Sequence, residues 1–131
     1  MSDSIFTKII KGDIPSYKIL ENELFISFLD ISPIKEGHSL VVPKLQADYI
    51  YDLPNDVFAG LFNFSKIVAQ KLERAIECDR IGISVVGLEV PHAHIHLIPI
   101  NEISDMSFEK PRIHPSKLEL ERVLKNIKNS N

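Results

Sequence analysis

The sequence predicts an α+β fold: a mostly antiparallel five-stranded sheet with one long helix, a short N-terminal helix and a C-terminal helix. Three observations predict it. A single long stretch, residues 55–77, repeats apolar residues at three- and four-residue steps, and five other apolar runs are short and rich in β-branched or aromatic residues. No regular strand–helix–strand alternation joins those runs. Several links between them are only a few residues long, which suits hairpins better than crossovers.

In chain order, Ile5, Phe6, Ile9 and Ile10 mark the short helix, which stops at Gly12 and Pro15. Strands are predicted at 18–20, 24–29, 39–42, 82–86 and 94–98. The long helix sets Phe58, Leu61, Phe62, Ser65, Val68, Ala69, Leu72 and Ile76 on one stripe, with Pro54 near its start and Asn55 or Asp56 available as a cap. Ile67 lies off the stripe, so it is either exposed or covered by a second subunit. Near the end, Ser116-Lys117-Leu118-Glu119 has capping-box spacing and Leu120, Val123, Leu124 and Ile127 follow in phase, predicting a helix over about 116–128 packed as an edge element.

The chain has 131 residues, the length of one domain, and contains no repeat, low-complexity tract or flexible linker, so a single domain is expected over 1–131. Apolar residues make up 44% and charged residues 25%, and no segment approaches the roughly 18 uninterrupted apolar residues of a membrane span. The N-terminus lacks the basic and apolar regions of a signal peptide, and Cys78 has no second thiol to pair with. A cytoplasmic protein with an inert cysteine is expected. With 15 basic and 18 acidic residues and no basic block, the chain does not suit a long nucleic acid, whereas one small phosphorylated ligand fits.

The chemistry concentrates in Pro91-His92-Ala93-His94-Ile95-His96-Leu97-Ile98-Pro99. In a strand, alternate side chains share a face about 7 Å apart. His92, His94 and His96 would then form one polar row backed by Ala93, Ile95 and Leu97. Three imidazoles in register are costly to bury without partners, which marks a site. Two chemistries suit it: metal binding through neutral imidazole, or covalent catalysis in which one imidazole attacks phosphorus while its neighbours bind the oxygens. The residues alone leave both open.

The run from His92 to Ile98 resembles the His-φ-His-φ-His-φ-φ pattern of the histidine triad (HIT) superfamily, where φ is apolar. Ile5-Phe6-Thr7-Lys8-Ile9-Ile10 with Ile14-Pro15, Phe28-Leu29-Asp30-Ile31-Ser32-Pro33 and Gly37-His38-Ser39-Leu40-Val41-Val42-Pro43-Lys44 resemble the same family in order and spacing. The resemblance covers residues 3–99 and leaves a C-terminal extension. It implies that His94 is the nucleophile of a nucleotide phosphoramidase or related hydrolase, forming a nucleotidyl-histidine. It also implies that His92 and His96 orient that nucleophile and the phosphate, and that His38 extends the histidine chain. By the same resemblance Phe6, Ile9, Phe28 and Ile31 line the slot for a purine base, Asp30 accepts from the ribose hydroxyls, no cofactor or metal is needed, and the chain forms a homodimer joining two sheets. Some relatives hold a structural zinc partly through an N-terminal Cys-x-x-Cys; here that stretch reads Ser4-Ile5-Phe6-Thr7.

The chain departs from the family before the triad. Many members carry a longer Gly-rich loop with an Asn and a Gln that help bind phosphate, whereas Val85-Val86-Gly87-Leu88-Glu89-Val90-Pro91 offers neither. A carboxylate at Glu89 repels phosphate unless it is protonated or turned towards a cation. It either selects a cationic leaving group or forms a structural hydrogen bond. His114 is expected at the surface. Two rivals to the hydrolase are a nucleotide-binding interaction protein without catalysis and a metal-dependent hydrolase built on the same imidazoles.

Overall fold

The computed structural model describes residues 2–130. Its strands are β1 (Lys18–Glu21), β2 (Phe25–Leu29), β3 (Ser39–Pro43), β4 (Arg80–Ser84) and β5 (Ile95–Ile100). They pair antiparallel throughout, in the order β1-β2-β3-β5-β4. Strands β1 to β3 form a meander, and helix α2 (Asn55–Ala75) then carries the chain to the far edge at β4, from which β5 returns beside β3. Among the described residues no helix is long and apolar enough to cross a membrane.

Alternation along the strands divides the apolar residues between two cores. Phe25, Leu29, Val41, Ile95 and Leu97 pack with α2 and with α3 (Lys117–Asn129), while Ile26, Phe28, Leu40 and Val42 face the opposite side, where α1 (Ile5–Ile10) lays down Phe6. Helix α2 buries Leu61, Phe64, Ser65, Val68 and Leu72. Ser65 sits in this stripe without penalty because its hydroxyl donates back to the Leu61 carbonyl at 2.8 Å. The capping box of α3 is formed: Glu119 N–H donates to Ser116 Oγ at 3.1 Å, and Ser116 N–H donates to Glu119 Oε1 at 3.2 Å.

Besides shifts of one or two residues at other ends, the elements differ from the sequence expectation at four points. No side chain caps α2; Pro54 takes the cap position, Asn55 and Asp56 are already helical, and Asp56 lies in the first turn where the helix dipole favours an anion. Helix α3 is no edge element, since Leu120, Val123 and Ile127 belong to the larger core. Strand β4 ends at Ser84, so Val85 and Val86 enter a loop in which Gly87 takes φ 77°. Strand β5 begins at Ile95, because Pro43 has no N–H to continue the ladder past Val41 and Ile95, and the Ala93 N–H turns to the Ala47 carbonyl at 2.7 Å.

Gly37 leads into β3 and sets the position of His38. It takes φ 89°, which side chains rarely adopt, and a methyl group there would run into Ile76 and Pro99. Gly37→Ala is expected to lower stability by about 2 kcal/mol or more, read as a lower urea midpoint with an unchanged m-value.

Candidate active site

The three histidines of the triad share one side of the sheet, but they do not form a row on one strand. Only His96 belongs to β5; His92 and His94 precede it, in the stretch where the ladder with β3 has ended. The alternation survives in the backing, since Ala93, Ile95 and Leu97 all lie in the larger core. The change gives the three rings different directions. His94 and His96 stand 4.8 Å apart by ring centroid, while His92 reaches back between α1 and the end of β3.

The hydrogen-bond partners fix every tautomer. His92 Nε2–H donates to the Pro43 carbonyl at 2.8 Å, and its Nδ1 accepts from the Ser4 hydroxyl at 2.6 Å. Ser4 also caps α1 by accepting the Thr7 N–H at 3.0 Å. His94 Nδ1–H donates to the His92 carbonyl at 2.7 Å, so its Nε2 carries the lone pair. The Ile34 N–H donates to His38 Nδ1 at 3.0 Å, and His38 Nε2–H donates to His96 Nδ1 at 2.9 Å. His96 is thereby left with its proton on Nε2. Neither His94 Nε2 nor His96 Nε2 has a hydrogen bond among the described residues, and neither counts among the sealed, unsatisfied buried atoms, so both open to the space in front.

Burial keeps the four rings neutral. Desolvation lowers His38 and His96 to about 3 each, helped by repulsion from neighbouring imidazoles and from Arg112. Burial also lowers His92 and His94; for His94 the His92 carbonyl acts in the opposite direction, as do Asp30 and Glu89.

His94 stands between two hollows that share Val86, Gly87 and Leu88 at the loop tip. One is walled by Tyr49 and Tyr51, the other by Glu89, His96 and Phe108. Of the apolar residues assigned to a base slot, Phe6 puts its ring edge 5.0 Å from His94 and packs on Phe28 at 5.6 Å. Ile9 and Val90 pack against that cluster, whereas Ile31 is 63% exposed. Asp30 accepts the Ser32 N–H at 2.8 Å and lies 3.7 Å from His38 Nε2; burial raises its carboxyl group, opposed by the Ser32 N–H and Arg112.

Sequence reasoning missed Phe108 and Arg112, which sit in an aperiodic tract between β5 and α3. Phe108 packs its ring 4.7 Å from His96 and 6.3 Å from His38. Arg112 lies over Phe108 at 5.7 Å, donates to the Ser32 carbonyl at 2.6 Å, and reaches Asp30 at 3.5 Å and Glu89 at 3.4 Å. The one available signal was Glu89 itself, a carboxylate in the loop before the histidines that called for a cation. His114 is exposed, and Cys78 has its thiol raised chiefly by burial, in keeping with an inert cysteine.

Asp30, His38 and His96 bring donor atoms within 4.8 Å of one another, so the set invites a test as a metal centre. Its donors do not fit. His38 spends Nδ1 on the Ile34 N–H and Nε2–H on His96, and a metal on Nε2 would force a proton onto Nδ1 against that N–H. His92 has both ring nitrogens engaged in the same way.

Fold and site together define an α+β protein that presents one unprotonated imidazole nitrogen beside a fixed imidazole N–H. Residues 11–103 match the HIT domain. Adenosine 5′-monophosphoramidase HNT1 of Saccharomyces cerevisiae is 36% identical over 100 residues; the match covers 72% of this chain and 61% of that protein, less than two thirds of its length. An uncharacterized HIT-like protein of Methanocaldococcus jannaschii is 36% identical over 131 residues, covering 95% of this chain and 98% of the other. The crystal structure of a HIT-like protein involved in cell-cycle regulation from Bartonella henselae superposes with a TM-score of 0.84 at 27% identity, covering 96% and 94% of the two chains. The chain belongs to the HIT family.

The neutral rings make stability depend on pH. An unfolded histidine titrates near 6.5, above the folded value of about 3 for His38 and His96. The unfolded chain therefore binds more protons between those values. Stability is fully present above about pH 6.5 and drains as pH falls towards 3, with a limiting slope of about 1.4 kcal/mol per pH unit for each ring. Urea midpoints measured at about pH 7, 6, 5 and 4 are expected to decline steadily; a flat series would contradict the burial of neutral imidazoles.

Proposed function

We propose that the chain hydrolyses nucleotide conjugates at the α-phosphorus, with adenosine phosphoramidates as the leading class, and that His94 Nε2 is the nucleophile. One observation carries this reading: His94 Nδ1–H is held by the His92 carbonyl, so a lone pair on Nε2 faces open space without any rotation of the ring. The name of the yeast relative supports the substrate class.

In the first step the Nε2–P bond forms as the P–N bond to the leaving amine breaks. His96 Nε2–H is placed to donate to a phosphoryl oxygen, where charge develops. It acts as a donor and not as an acid. His96 is neutral, so giving up that proton would leave an imidazolate, and the histidine chain behind it supplies no replacement because His38 Nδ1 faces an amide N–H that releases none. The departing nitrogen therefore takes its proton from water, and the hydroxide so formed attacks phosphorus in the second step, breaking the Nε2–P bond and restoring neutral His94. One water is consumed overall. The base lies against exposed Ile31 and the rim of the cluster formed by Phe6, Ile9 and Phe28, with Asp30 near the ribose.

The spent donors on His38 and His92 weigh against the metal-dependent rival, and the open Nε2 weighs against a mere binding module. With adenosine 5′-phosphoramidate, His94→Ala is expected to lose about 10³-fold or more in turnover. Intact-protein mass spectrometry of the wild type with a slow substrate is expected to show one nucleotidyl adduct, absent from the variant, and exhaustive chelation is expected to leave the rate unchanged. A variant that still turns over, with no adduct on the wild type, overturns the mechanism.

We also propose a homodimer formed along β4, one of the two edge strands of the sheet. Ile83 on that strand, Val85 just beyond it and Ile67 on α2 are all exposed. Sedimentation is expected to give a dimer for the wild type and a monomer for Ile83→Lys.

A further inference from the structure

The HIT domain match ends at residue 103, yet the stretch that follows reaches back to the site. Residues 107–116 form neither helix nor strand. They are pinned instead at both ends. Buried Asp105 accepts the N–H groups of Asn101 and Glu102 just before them. Further on, two successive residues bond two successive carbonyls: Arg112 Nη1 donates to Ser32 at 2.6 Å, and Ile113 N–H donates to Pro33 at 2.9 Å. Those carbonyls belong to the turn after β2 that carries Asp30 and exposed Ile31. Within that turn Asp30 Oδ1 accepts the Ser32 N–H at 2.8 Å, while Oδ2 meets the same Arg112 nitrogen at 3.5 Å.

We propose that Arg112 is a positioning residue for nucleoside recognition: by clamping the 30–32 turn it holds the Asp30 carboxylate where it accepts from the ribose hydroxyls, and so sets a preference for ribonucleotides. The inference rests on the proposed place of Asp30 near the ribose. Three observations carry it. A carboxylate offers about four lone-pair positions. The Ser32 N–H and Arg112 each take one, and His38 Nε2–H, 3.7 Å away, is committed to His96. The remaining positions can receive a pair of hydroxyls, on a side chain that keeps 16% of its surface exposed. Secondly, accepting from both hydroxyls requires the ionised form. Burial raises the Asp30 carboxyl and Glu89 adds to the rise, while the Ser32 N–H and Arg112 oppose them. Of these, Arg112 is the one full positive charge. Thirdly, the guanidinium is itself fixed, lying over the Phe108 ring at 5.7 Å with its other arm 3.4 Å from Glu89.

The test is titration calorimetry of the whole chain with adenosine 5′-monophosphate and with its 2′,3′-dideoxy analogue, which lacks both hydroxyls. Wild type is expected to bind the ribonucleotide about 10- to 100-fold more tightly, the worth of hydrogen bonds to a charged acceptor. Asp30→Ala is expected to bring that ratio to within about threefold. Arg112→Ala is expected to lower the ratio by about fivefold or more while leaving the affinity for the dideoxy analogue within about threefold of wild type. Arg112→Lys restores the charge but not the fork that spans Ser32 and Asp30, and is expected to give an intermediate ratio. A ratio that Asp30→Ala abolishes and Arg112→Ala leaves untouched overturns the inference. So does an equal loss of affinity for both ligands in the Arg112 variants, which marks a merely structural residue. A wild type that binds neither ligand or binds both alike, or a preference that survives Asp30→Ala, removes Asp30 from the ribose and the inference with it. Binding needs no turnover, so these outcomes are separate from the trapping of nucleotide on His94.

Discussion

Four imidazoles crowded under one surface can coexist only if none carries a charge and each has a separate place to put its single N–H. That constraint organises the site. His92 gives its proton to the Pro43 carbonyl, His94 to the His92 carbonyl and His38 to His96, so each ring's role follows from what its other nitrogen has left. The backbone supplies the starting points. Pro43 cannot continue the ladder, and the break it makes in the sheet releases a carbonyl for His92 and lets the segment before β5 turn its rings in separate directions. A regular strand through residues 92–96 would have kept the rings parallel and left these nitrogens without partners.

Much of the fold could be read from the chain because its local signals agree with one another. The three- and four-residue spacing of Leu61, Val68 and Leu72, the capping box at Ser116 and Glu119, and the β-rich runs around Phe28, Val41 and Leu97 each point to the element that forms. Element ends were harder to place. Whether β5 starts at His94 or Ile95 depends on Pro43, which is remote in sequence and adjacent only once β3 and β5 pair. The core position of α3 was likewise hidden, because an amphipathic stripe does not say which surface it will cover.

At the site, the identity of the histidines was visible in their alternation with apolar residues, while their tautomers were not. Those depend on Ser4, Ile34 and Pro43, none of which stands out in the sequence as a partner of imidazole. Phe108 and Arg112 lie in a tract that has no periodicity to interpret, and their placement follows from contacts with Ser32, Glu89 and His96 that exist only in three dimensions. The carboxylate of Glu89 looked out of place beside a phosphate because its counter-charge is 23 residues away in the chain.

Ser4 joins two parts of the molecule through one oxygen, which accepts from Thr7 at the start of α1 and donates to His92. A six-residue helix is far below the length that persists in water by itself. Its order is borrowed from its docking, and part of that docking is the imidazole whose main-chain oxygen orients His94. Fraying at the amino end would thus loosen the support of the His94 ring without touching that ring, and loss of the first few residues by proteolysis would release His92 while leaving the sheet intact.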